Sequence, residues 1–78
     1  MRVSLAGMKA GQSGTVVEIH GGHDAADRLA ALGIMPGRRI AKVSAMILRG
    51  PVTVRVGRTH VAIGFGMARR VFVEAELT

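Results

Sequence analysis

Apolar positions along this chain fall into short alternating runs separated by glycines. TVVEIH (15–20) reads as a strand carrying Val16, Val17 and Ile19, opened by Gly14 and closed by Gly21-Gly22. PVTVRV (51–56) alternates cleanly, with Val52, Val54 and Val56 inward and Thr53 and Arg55 outward. Gly57-Arg58 is the length of a two-residue hairpin turn into THVAIGF (59–65), which sets Val61, Ile63 and Phe65 on one face. RRIAKVSAMI (38–47) and RVFVEAE (70–76) complete a set of about five strands, and GMAR (66–69) reads as a single helical turn before the last of them.

One segment breaks the strand rhythm. Ala25, Leu29 and Leu32 recur at helical spacing, so residues from about 24 to 32 are expected to form the one substantial helix, between the first and second strands. Asp24 is the expected N-cap, with Asp27 in the position of a capping-box acid. Asp24 and Arg28 are four apart, as are His23 and Asp27, and such pairs support a helix surface. Gly33 should end the helix in a left-handed conformation, and Pro36 forbids its continuation. Many short strands with glycine turns predict a small antiparallel barrel. The helix should plug one open end through Leu29 and Leu32, packed against Val52, Val54, Ile63 and Val73.

Length restricts the chain to one expected domain, 1–78, with a simple core. The absence of cysteine excludes disulfides, a thiolate nucleophile and a cysteine-type zinc site, and suits a reducing cytosol. No apolar run approaches a signal sequence or a membrane span, so a soluble protein is expected. The net charge of +6 is compatible with nucleic acid, an anionic surface or an acidic protein partner. Two phenylalanines and no Tyr or Trp count against base stacking on single-stranded nucleic acid and against a proline-peptide groove. Nucleic acid is accordingly not an expected partner. Enzyme action is not expected either, because no nucleophile–base set and no phosphate loop stands out.

Two groups of residues carry candidate chemistry. In HGGHD, His20 and His23 flank a Gly-Gly turn, with Asp24 and Asp27 following. Imidazole and carboxylate suit Zn(II) or Fe(II), so His20, His23, Asp24 and Asp27 are the candidate metal ligands. No cofactor is required by this reading, and a metal would be held weakly or with the help of a second chain. The alternative is a polar loop with a helix cap. The second group is apolar: Met35 beside Pro36, and Met46, Ile47 and Leu48 in the next strand connection. Ile34 is expected to turn inward and Met35 outward. Exposed Met and Leu in turns suit protein contacts. Arg38, Arg39 and Arg49 would form a basic rim around them.

Taken together, Leu5, Gly11, Gly14 and Val16, then RL-x-x-LGI-x-PG at Arg28–Gly37, then GPVTVRV at Gly50–Val56, then Ala68, Val71 and Val73 resemble the FeoA family, over roughly residues 3 to 75. The chain departs from that family's usual Leu-Arg near the end of the fourth strand, where it has Ile63-Gly64, and from a proline near Met46. The same module closes the DtxR-type iron-dependent repressors. The resemblance implies an SH3-like barrel. It also implies a non-catalytic cytosolic accessory role in ferrous iron uptake, through binding to the cytosolic part of the FeoB membrane transporter. The protein would reach the membrane's inner face only through that partner, and a homo-oligomer is compatible with the same surface. The alternative from another class is a metal-responsive or nucleic-acid-associated regulatory module.

Overall fold

A computed structural model describes residues 1–45 and 50–76, and of residues 44 and 45 the backbone only. Among the described residues six antiparallel strands form one sheet: β1 (Arg2–Ser4), β2 (Ser13–Ile19), β3 (Arg39–Ala45), β4 (Val52–Val56), β5 (Thr59–Ile63) and β6 (Val71–Ala75). Their spatial order is β1-β6-β2-β3-β4-β5, and the sheet is not closed. A 3-10 turn (Leu5–Gly7) follows β1, helix α1 (Gly22–Ala31) joins β2 to β3, and helix α2 (Phe65–Ala68) precedes β6. The mainly β architecture expected from the alternation is thus present, with one strand more than expected. β1 pairs Val3 with Val73 of β6. Three residues carry too little local pattern to announce a strand whose partner lies at the far end of the sequence.

Alternation places the core on one face. Val16, Ile40, Val52, Val54, Val56, Ile63, Val71 and Val73 are all buried, and Leu5, Met8, Leu29, Ile34 and Ala68 cover them. Val56 pairs with Thr59 across Gly57-Arg58, the expected two-residue hairpin, and Gly57 takes the positive φ, 61°, that such a turn needs. Two bulges interrupt the ladders. Val16 pairs with Val73 and Glu18 with Phe72, which leaves Val17 without an opposite residue. Lys42 pairs with Val54 and Ser44 with Thr53, which leaves Val43 in the same position. Each bulged valine is exposed, because the extra residue turns away from the pleat that its neighbours follow.

The start of α1 differs from the expectation. Gly21 is the N-cap, with no side-chain cap bond, and Asp24 lies inside the first turn. Gly21 and Gly22 both have positive φ, so the entry is made by backbone geometry that glycine alone adopts readily. Asp24 still faces the positive end of the helix dipole.

The end of α1 follows expectation in its backbone and departs from it in one side chain. Gly33 has φ 88°. Its N–H donates to Ala30 O at 2.9 Å, and the Ile34 N–H donates to Leu29 O at 2.9 Å. That pair of bonds is a Schellman closure, which normally brings the residue after the glycine onto the helix three positions from its end. Here Ile34 and Leu29 are both fully buried. Leu32, expected to share the plug with Leu29, is instead 40% exposed. The reversal at Gly33 drives Ile34 into the space beneath the helix, and Leu32, as the C-cap residue, is left on the rim. Leu29→Ala should therefore cost about 3 kcal/mol, whereas Leu32→Ala should cost less than about 1 kcal/mol. Thermal melting of the two variants side by side checks this, and equal losses would return Leu32 to the core.

Candidate functional site

Three of the five large hydrophobic residues exposed among the described residues lie in or beside the reversal between α1 and β3. Leu32 precedes it, Met35 lies within it at 38% exposure, and the bulged Val17 lies beside it. The Gly37 N–H donates to Val16 O at 2.8 Å and the Val16 N–H donates to Arg38 O at 2.9 Å, which ties the turn to β2 next to Val17. The Arg38 N–H donates to Met35 O at 3.1 Å and closes the turn on itself. A short, doubly tethered turn of this kind fixes the backbone at Met35, so little loop freedom is lost when a partner covers it. Ile34 faces inward and Met35 outward, as the sequence pattern predicts. Arg38 and Arg39 are exposed beside them, and Arg39 is paired with Glu76. Met46, Ile47, Leu48 and Arg49, the other half of the expected contact surface, lie outside the described residues.

The four candidate metal ligands are spread over two elements. His20 follows directly on β2, and its Nε2 lies 2.9 Å from a Glu18 carboxylate oxygen. Its ring packs on Phe72 with 4.6 Å between centroids. Arg2 bonds the same Glu18 carboxylate and stands over Phe72 at 5.5 Å. His20 is thereby part of a polar and aromatic cluster on the outer face of β1, β6 and β2. His23, Asp24 and Asp27 lie on α1, where Asp24 lines a surface cleft with Gly21, Ala25, Arg28, Met67 and Arg70. Among the described residues, no group of three or more His, Asp or Glu side chains comes together so as to hold a metal ion. The spacing in HGGHD leaves the direction of each side chain open, and Gly21 and Gly22, both with positive φ, lie between His20 at the end of β2 and His23, Asp24 and Asp27 on α1.

One functional group escaped the reading of the sequence. Lys42 on β3 is buried, at 2% exposure, on the core face. Its Nζ donates to Ala6 O at 2.9 Å and to Met8 O at 2.6 Å. Burial pushes its pKa below the ordinary lysine value. The signal was present in RIAKVSA: counting by twos from Ile40 puts Lys42 inward and Val43 outward. A reading that sorts residues by polarity reverses that assignment.

Comparison with known proteins places this geometry. A search of curated proteins gave no match. Among solved structures, a crystal structure of an iron uptake regulatory protein, FeoA, is 39% identical, with a TM-score of 0.92 over 97% of this chain and 100% of that one. FeoA of Stenotrophomonas maltophilia, solved in complex with zinc and described as a procaryotic SH3 domain protein, is 28% identical, with a TM-score of 0.77 over 92% of this chain and 89% of that one. A manganese-dependent transcriptional repressor shares the fold at 22% identity, with a TM-score of 0.84 over 92% of this chain and 40% of that one. The FeoA domain profile matches residues 3–75. That span runs from Val3 within β1 to the end of β6 and takes in both helices and the Gly33 reversal, and the chain belongs to the FeoA domain family.

Proposed function

We propose that this chain is a non-catalytic accessory protein of ferrous iron uptake, acting by docking on the cytosolic part of a FeoB-type transporter and modulating it. The observation that carries the reading is the family match over residues 3–75, since FeoA membership implies a role in ferrous iron transport. The geometry supports a binding role. Leu32, Met35 and Val17 flank one rigid reversal and are among the exposed large apolar residues of the chain. No helix among the described residues is long and apolar enough to cross a membrane, so contact with a transporter would be made from outside the bilayer. The likeness to the manganese-dependent repressor, at 22% identity, concerns the fold alone and does not favour a regulatory reading.

Titration calorimetry of the chain into the purified cytosolic domain of FeoB tests the proposal. A saturable heat is expected. Leu32→Ser combined with Met35→Ser should leave the circular dichroism spectrum unchanged and weaken binding at least about tenfold, as loss of central apolar anchors does. No saturable heat from the folded parent chain would overturn the reading.

A further inference from the structure

The outer face of β3 and β4 carries a feature that the accessory role does not use. Ala41 pairs with Arg55 across these strands, so Arg39, two residues earlier on β3, is the diagonal neighbour of Arg55 on the same face. Ser13 pairs with Ala41 from the other side, and His60 pairs with Arg55. Ser13, Ala41 and Gly57 are small, and together with Arg39 and Arg55 they line a shallow depression on this face. The Arg38 guanidinium stands beside Gly57, with Nη2 3.5 Å from where a Cβ on that glycine would be. Two arginines thus border a floor of small residues, with a third beside Gly57 at its edge.

The acids nearby leave this charge only partly answered. Glu76 bonds Arg39. Glu74, across Thr15 from Arg39, is held by the N-terminal ammonium. Arg38 and Arg55 make no ion pair among the described residues. The Glu76–Arg39 contact lies at the surface, with both side chains more than half exposed, where such pairs are weak and easily exchanged. A carboxylate of the chain itself is therefore already held by one arginine of the depression and marks the kind of group that these side chains accept.

We propose that this depression docks an extended acidic segment of a protein partner, in which alternate carboxylates engage Arg39 and Arg55 and displace Glu76. Spacing supports an extended peptide. Alternate side chains of an extended chain stand about 7 Å apart, and diagonal neighbours on adjacent antiparallel strands are separated by about the same distance. A bound phosphate is disfavoured because the floor strands spend their amides on the sheet ladder, leaving no converging backbone N–H groups of the kind that cradle phosphate. The proposal rests on the charge pattern of β3 and β4 and holds whether or not the transporter is the partner.

The test is an amide-resolved NMR titration of the full chain with the capped peptide Glu-Ser-Glu-Ser-Glu, its Gln-for-Glu counterpart and inorganic phosphate. Saturable shifts are expected at Ser13, Arg39, Ala41, Arg55 and Gly57 with the acidic peptide alone. Arg55→Gln should weaken binding at least fivefold, Glu76→Gln should tighten it at least twofold, and Arg69→Gln should change nothing. Shifts spread equally over Arg28, Arg69 and Arg70, or an unaffected Arg55→Gln, would overturn the site. Saturation by phosphate at equal or lower concentration would overturn the acidic-peptide assignment, and an unchanged Glu76→Gln would overturn the role of Glu76. None of these readouts involves the transporter, so failure here and failure of the calorimetric titration are separate results.

Discussion

Gly14→Ala should be among the most damaging single-methyl additions to this chain, costing about 4 kcal/mol or more. Gly14 faces the core on β2, opposite Ala75 of β6. A Cβ built there would stand 2.3 Å from Glu74 O, 2.7 Å from Val73 Cγ1 and 2.8 Å from Ala75 Cα. Two of those three atoms are backbone, so no rotamer change can make room, and the strands must separate. β6 is held between β1 and β2, so its displacement disturbs both flanking ladders. A domain of this length has a total stability of only about 4–12 kcal/mol, and the variant should melt at least about 15 °C lower or fail to fold. Gly64→Ala is the matching control. Gly64 has φ −65° and nothing within 4 Å of its would-be Cβ, so the change should stay within about 0.5 kcal/mol. Circular dichroism melts of the pair decide the point. Equal melting temperatures would show that β6 can yield.

Lys42→Ala should be nearly as costly, again about 4 kcal/mol. Three buried methylenes are worth about 0.8 kcal/mol each, and the half-buried carbonyl of Ala6 and the buried one of Met8 would each lose a donor, at about 1 kcal/mol or more apiece. These two carbonyls belong to the 3-10 turn and the residue that caps it, so the lysine stitches the N-terminal segment to β3. Lys42→Met separates the contributions, since it restores most of the stem and leaves the carbonyls unpaired; it should recover about half of the loss.

The same residue gives the chain a pH dependence of definite sign. Burial lowers the pKa of Lys42 in the folded state, so between that value and the unfolded value of about 10.4 the unfolded chain binds more protons. Stability then rises with pH across that window and levels off above it. The window is unusually clear in this sequence, which has no Tyr or Cys and only one other lysine, Lys9. Chemical denaturation at pH 8 and pH 10 should show the parent gaining stability relative to Lys42→Met. Identical slopes in the two proteins would mean that Lys42 is charged throughout.

These residues also show which parts of the molecule could be read in advance. The end of α1 was legible because Gly33 and Pro36 act through local backbone geometry. The alternating strands β4 and β6 were legible for the same reason, since a period of two needs no knowledge of partners. The start of α1 was misread because an aspartate cap and a pair of left-handed glycines are competing local solutions, and only the fold chooses between them. β1 and the inward lysine depend on contacts far away in sequence: β1 on β6, and Lys42 on carbonyls 34 and 36 residues distant. The candidate metal ligands are close in sequence, but proximity along the chain does not fix side-chain directions, and no three of them come together among the described residues. Met35 was legible as an outward residue because the rigid Pro36 beside it constrains the turn.

The two bulges bear on how this chain can change in length. A single-residue loss in an ordinary strand turns every later side chain to the wrong face. At Val17 and Val43 the arithmetic differs. With Val17 removed, Val16, Glu18 and Ile19 would follow one another as inward, outward and inward, which is the order in which Val73, Phe72 and Val71 already meet them. With Val43 removed, Lys42, Ser44 and Ala45 would match Val54, Thr53 and Val52 without interruption. Each bulge is thus a seam at which descent can delete or regain one codon while both strands keep their faces, and an alignment of related chains should gather its one-residue gaps within these strands at those two positions.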